Sequence, residues 1–323
     1  MVGADFPDAP LGVLCSTGMC ETVLGAIANL VEAFTRNPIP LDSQVKLDEP
    51  FIGAFDLLGH IEEDKRDVTI KRAFYLYSEE RHYSQNISTL LYYFLYYLNN
   101  YRNDERVQWD FYSRLTLDIE QLLTNTRSFL DSTFQLALLF SDERSRIPGG
   151  RQKSFGKFAE WVQGNNKPFD PPLSFMTELV PWGLTIRRVR DDYIHRGREA
   201  LPFWGSDDVF FYPYSSVRNV SPMPDLFYRS DSPLHTADDT IKPIYLRKFI
   251  VYAVAPIFAV EQVLGRYLND LFGSKYGPWP LHDFGCPFSA NPSIQALYEL
   301  VGQNKECLER EIYKETYFIS GSA

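Results

Sequence analysis

The stretch that most restricts what this chain can fold into runs from Val107 to Phe140. There Phe111, Leu115, Ile119, Leu122, Leu123, Leu130, Phe134, Leu138 and Phe140 recur close to the α-helical period, which collects them into one apolar stripe. A second stretch with the same habit precedes it. Helical character begins near Val68 and is strongest from Ser84 to Tyr101, where Leu91, Phe94, Leu95 and Leu98 mark one side. Only the polar residues Asn99 to Arg106 separate the two. Long helices joined by so short a turn bury their stripes against each other as an antiparallel hairpin, so the expectation is an all-α protein.

The remaining segments are arranged around that hairpin. Upstream, Val23, Leu24, Ile27, Leu30, Val31 and Phe34 predict an amphipathic helix. Pro38, Pro40 and Pro50 then predict an extended connection, and the mixed-sign run Glu62 to Asp67 a solvated face. Downstream, Ser141 to Lys153, with Pro148-Gly149-Gly150, has the composition of a flexible loop. A short helix is expected from Ser154 to Val162. Asp170 and Pro171 are suited to the N-cap and first position of the next helix, which Pro181 should kink or divide. After Gly197, prolines interrupt segments rich in Phe and Tyr. Val209–Tyr212 and Leu226–Tyr228 suggest two short strands or an irregular flap whose rings mainly cover the bundle. A last long helix is expected over Ile244 to Phe272, kinked at Pro256 and stopped by Gly273, with Glu261, Arg266 and Asp270 on its wet face.

Composition narrows the classes of function. A net charge of -10 argues against a protein that coats itself in nucleic acid, because such binding needs many cations against phosphate. Any RNA contact must be local. Cys15, Cys20, Cys286 and Cys307 are too sparse for a zinc ribbon or a disulfide framework and suit a reducing, cytoplasmic setting. The apolar runs Leu90 to Leu98 and Phe249 to Val260 are shorter than the roughly 20 residues of a membrane span, so no membrane contact is expected. His60, His82, His195, His235 and His282 are scattered without an i, i+4 pair, which gives no metal centre, and no cofactor motif is evident. Gly149-Gly150 beside Arg151 and Lys153 lacks the spacing of a phosphate-binding loop, and His82 is expected at the surface.

The chemistry concentrates in Arg187-Arg188-Val189-Arg190-Asp191-Asp192-Tyr193-Ile194-His195-Arg196-Gly197. On a helix Asp191 and His195, four apart, share a face, so a carboxylate stands where it can orient an imidazole. Arg190 lies about 140° round the helix from His195, yet its side chain is long enough to curl into the same pocket. Imidazole exchanges a proton near neutral pH, and guanidinium holds a phosphate with paired donors. The combination suits phosphoryl chemistry without a metal. Arg187, Arg188, Arg196 and Arg198 have a simpler explanation, since cations gather where a helix exposes its last carbonyls.

Arg190-Asp191, then three residues, then His195 resembles the R-x4-6-H signature of the HEPN superfamily. These are all-helical proteins, many of them metal-independent endoribonucleases, including members of toxin and defence systems. The resemblance implies a HEPN-like bundle over about Ser84 to Gly273, with an aromatic-rich hairpin or irregular insertion at 201–240. It leaves a helical extension at 1–83 and a further extension at 274–323. It also implies cleavage of single-stranded RNA to 2′,3′-cyclic phosphate and 5′-hydroxyl ends, with Arg190, Asp191 and His195 as catalytic residues. Because one imidazole cannot readily serve as base and acid together, it implies a homodimer that faces two motifs across one cleft. In toxins of the superfamily that pair with an antitoxin, a Tyr commonly stands two residues after the His; Gly197 stands there in this chain. A helical binding protein without catalysis is the alternative from another class.

Overall fold

The computed structural model describes residues 67–100, 105–165, 168–195, 200–204, 209–213, 234–235, 240–241 and 243–276. Helix dominates them. Helix α1 spans Val68–Asn100 and α2 spans Glu105–Leu139. A 3₁₀ turn, Asp142–Arg146, leads to α3, Phe155–Gln163, followed by α4, Leu173–Glu178, and α5, Val180–His195. Strands β1 (Ala200–Trp204), β2 (Val209–Pro213), β3 (Leu234–His235), β4 (Thr240–Ile241) and β5 (Ile244–Tyr245) precede α6, Leu246–Tyr276. The expectations for Cys20 to Phe34, for the thiols and for the tail after 276 fall outside the described residues.

The predicted hairpin forms from α1 and α2. Its antiparallel sense follows from the pairing of residues along it. Near one end Tyr97 meets Arg114 and Asp118, and further along Asn86 Nδ2 donates to Asn125 Oδ1 at 3.2 Å. Asp67, expected only as part of a solvated charge run, caps α1 by accepting from the Ile70 amide at 2.8 Å. Helix α1 runs unbroken through residue 83, and Ile70, Ala73 and Leu76 before it join the same core as Ile87, Leu91 and Phe94 after it.

The core lies between this hairpin and α5 and α6. Phe134 of α2 stacks on Phe158 of α3, with centroids 4.7 Å apart, and Trp182 Nε1 of α5 donates to the Tyr252 carbonyl of α6 at 2.8 Å. Helix α6 is long and apolar enough over Leu246–Phe272 to cross a bilayer by length and composition. It is instead a central helix of this core, with 86% of its apolar window buried. It passes through Pro256 as one helix and continues beyond Gly273 to Tyr276, while Ile244 and Tyr245, expected at its start, form β5.

The packing bears out one further expectation and corrects two. The division at Pro181 occurs at Leu179, which leaves the proline in the first turn of α5, where a missing amide costs least. Helix α4 starts at Leu173 with Pro172 in the cap position, and Asp170 contributes its backbone carbonyl to the Ser174 amide rather than a capping carboxylate. The 141–153 segment is not a loose loop. Gln152 fastens it by donating to the Ile147 carbonyl at 2.7 Å and the Arg144 carbonyl at 3.1 Å, and Gln135 of α2 donates to the Gln152 carbonyl.

Strand β2 is central in a three-stranded sheet of order β1-β2-β5, antiparallel throughout. Its partners are Ala200–Trp204 and Ile244–Tyr245, which occupy both of its edges. The 226–228 run expected to pair with it lies outside the described residues. Phe210 and Phe211 are fully buried, and Phe211 meets Phe249 of α6 edge-on at 5.2 Å, so the rings of β2 do cover the bundle. Thr116 of α2 donates to the Ala200 carbonyl at 2.7 Å and so fixes the sheet just after α5 ends.

Candidate functional site

Helix α5 is oriented by Ile186, Val189 and Tyr193, which recur at three and four residues and are buried against the core. The polar residues between them are thereby turned toward α3 and solvent. Arg187 and Asp191, four apart, lie on one stripe, and the backbone remains helical through His195, the next position on that stripe. The side chain of His195 lies outside the described atoms, as do Arg196 and Gly197.

A chain of charges runs along this stripe and across to α3. Arg190 Nη1 donates to Asp191 Oδ1 at 2.9 Å, and Arg187 Nε stands 3.6 Å from Asp191 Oδ2. Arg187 Nη1 also donates to Glu160 Oε1 of α3 at 2.7 Å, while Glu160 Oε2 is 3.7 Å from Arg151 Nη1. Two carboxylates therefore bridge three guanidinium groups. Gly156 of α3 permits the approach: a Cβ there would come within 2.9 Å of Arg187 Nη1.

Beneath this layer lies Asp131 of α2, which the motif did not reveal. Its Oδ1 accepts from the Phe155 amide at 2.8 Å and so supplies the first turn of α3 with a carboxylate, beside the Ser154 side-chain cap. Burial pushes its carboxyl above the ordinary range, a shift reduced by that hydrogen bond and by Arg127, Arg187 and Arg190. Asp131 thus ties α2 to α3 and places a partly buried carboxyl within the field of two motif-helix cations.

Of the predicted site residues, Arg190 and Asp191 are in direct contact. Arg190 is the more enclosed, with 12% of its side chain accessible against 37% for Asp191. Asp191, expected to serve the imidazole, is engaged by two guanidinium groups. Arg187, taken from the sequence as helix-end decoration, is the joint between α3 and α5; its i, i+4 spacing to Asp191 could have shown the pair within α5, but not the bond to Glu160. Arg188 is exposed, in keeping with the simpler explanation.

The arrangement can hold an anion beside a polarised carboxylate at the end of α5. A phosphate oxygen can replace a carboxylate oxygen on an arginine with little change of geometry, because both accept paired donors from the planar guanidinium. His82, expected at the surface, is exposed on α1, where a ring nitrogen hydrogen-bonds with Asn86. Among the described residues no three His, Cys, Asp or Glu side chains stand together in a way that could hold a metal ion. Comparison of the chain with protein-family models, with curated proteins and with solved structures gave no match.

Proposed function

We propose that the chain is a HEPN-like, metal-independent endoribonuclease that acts on single-stranded RNA at the end of α5. The observation that carries this reading is the Arg190–Asp191 contact at 2.9 Å, five and four residues before His195 on an unbroken helix. In this account the 2′-hydroxyl of the RNA attacks the adjacent phosphorus, and the bond from phosphorus to the 5′-oxygen breaks. His195 assists proton transfer. Arg190, held in place by Asp191, offsets charge on the phosphate oxygens, a contribution that grows in the enclosed setting its low accessibility provides. Two chains pair so that a second His195 serves as the other proton carrier across one cleft, in a reducing cytoplasm.

The test is cleavage of labelled single-stranded RNA in excess chelator by the purified chain and by its Arg190→Ala and His195→Ala variants, each checked for helix content. Activity in the parent and its loss in both folded variants supports the nuclease. A second reading, a helical binding or dimerisation protein without catalysis, is favoured by the engagement of both Asp191 oxygens with arginines, the pattern of a structural clasp. No turnover in the parent, with loss of self-association in the variants, supports that reading instead.

A further inference from the structure

Charge is unevenly distributed in this acidic chain. Residues 144–157 carry Arg144, Arg146, Arg151, Lys153 and Lys157 and no carboxylate. The fold engages two of these cations internally: Arg144 donates to the Gln152 side chain, and Arg146 meets Glu143, donates to the Pro168 carbonyl and lies over the Phe169 ring. All five are exposed; of the other three, Arg151 stands 3.7 Å from Glu160, and Lys153 and Lys157 lie on the same strip. The Glu160 bridge from Arg151 to Arg187, and the seat of Arg187 over Gly156, set this strip beside the Arg187, Arg188 and Arg190 end of α5. The clamp made by Gln152 and Gln135 holds the strip in place, so its backbone needs little ordering before its cations meet a ligand. At Gly149 and Gly150 a Cβ would meet nothing, which leaves the approach open.

We propose that this face, formed by residues 151–157 and the outward side of α5, is a docking surface for the phosphate backbone of single-stranded RNA, and that Glu160 is the carboxylate which an incoming phosphate displaces from Arg151. The proposal rests on the nuclease reading of α5 and adds where the strand lies as it enters the site. In a negatively charged protein a basic strip directs a polyanion toward itself. The strip is continuous with the arginines of the motif helix, so a strand bound along it arrives at Arg190 and His195. Glu160 and Arg151 are both about half exposed, so their ion pair is weak and a phosphate can take the carboxylate's place on Arg151 at small cost, while Glu160 keeps its 2.7 Å hydrogen bond from Arg187.

The experiment measures fluorescence anisotropy of a labelled, fully 2′-O-methylated single-stranded RNA, which cannot be cleaved by its own 2′-oxygen, against the full chain in chelator over a series of salt concentrations. Arg151→Gln and Lys157→Gln should each weaken binding several-fold and reduce the salt slope by about 0.7, the amount for one phosphate contact to a single strand. Glu160→Gln should tighten binding several-fold, and much less so when Arg151→Gln is present in the same chain, a dependence on Arg151 that the loss of a negative charge alone would not give. Unchanged affinity and slope in both cation variants, weaker binding by Glu160→Gln, or no binding by the parent overturns the proposal. The two readings fail separately. Binding that follows this pattern without cleavage of unmodified RNA removes the nuclease and keeps the surface, whereas cleavage with indifferent surface variants does the reverse.

Discussion

Substitution of Gly183 by alanine sets two effects of known size against each other. Gly183 lies inside α5, where alanine is favoured over glycine by about 1 kcal/mol, so an isolated helix would gain from the change. In the folded chain the new Cβ would fall on Cε1 of Phe155 and stand 3.1 Å from its Cζ. Phe155 cannot easily move away. It is buried, flanked by Phe134 and Phe158 at 6.4 Å each, and fixed by the hydrogen bond from its amide to Asp131. Forcing an extra methyl group into such packing costs roughly 1 to 3 kcal/mol, enough to cancel or exceed the helical gain. Because α3 and α5 must part to relieve the overlap, the Glu160–Arg187 pair should loosen as well. We expect Gly183→Ala to lower stability by about 1 kcal/mol net, which for a domain of this size is a fall in Tm of about 2 to 4 °C. Thermal unfolding followed by circular dichroism reads this directly. Gly183→Ala combined with Phe155→Leu should recover part of the loss, and Gly149→Ala, which meets open space, should stay within about 0.5 kcal/mol of the parent. A Tm for Gly183→Ala at or above that of the parent refutes the close α3–α5 contact on which the site depends.

Further expectations concern other parts of the fold. Glu80, 1% exposed, and Glu261 share a hydrogen bond across α1 and α6, with Ser84 donating to Glu261 and Arg81 nearby; burial raises the Glu261 carboxyl above its ordinary value. A carboxyl raised in the folded state favours folding at low pH and loses that contribution as pH rises through its folded pKa. Stability of the parent should therefore decline as pH climbs past the ordinary glutamate range, and Glu261→Gln should flatten that decline; an unaltered pH profile in urea unfolding would rule the pair out as its source. Trp182→Phe removes the donor to the Tyr252 carbonyl and should cost about 1 to 3 kcal/mol, since a buried carbonyl is left without that partner; an unchanged denaturant midpoint would deny the bond its role. Asp191→Asn keeps the shape of the site but weakens its hold on Arg190, so RNA cleavage should fall at least tenfold while Tm moves little, and equal loss of both would assign Asp191 to the scaffold alone.

The sequence revealed the helices whose signals are local. The stripe from Phe111 to Phe140 marks α2, the short helix expected from Ser154 to Val162 is α3, and Pro181 marks the separation of α4 from α5. It failed where the deciding partner is distant in the chain. Glu261 was expected on the wet face of α6 because a carboxylate belongs in water unless another group shares its proton, and that group, Glu80, lies on α1. Arg187 looked like an ordinary helix-end cation because Glu160, its partner, is 27 residues away. The 141–153 segment looked loose because glycine and proline indicate turns, whereas the hydrogen bonds of Gln152 that fix it leave no pattern in composition. At the site, the spacing of Arg190, Asp191 and His195 was legible; the enclosure of Arg190 and the presence of Asp131 required the packing of α2 against α3 and α5.

The most direct measurement of the central claim is the chemistry of the cut ends. A single-stranded RNA with one 2′-deoxy position should be cleaved in chelator everywhere the protein prefers except on the 3′ side of that position. Elsewhere the upstream fragment should end in a 2′,3′-cyclic phosphate and the downstream fragment should begin with a 5′-hydroxyl. Cleavage at the deoxy position, or ends bearing a 5′-phosphate, would contradict attack by the neighbouring 2′-hydroxyl and with it the role assigned to the end of α5.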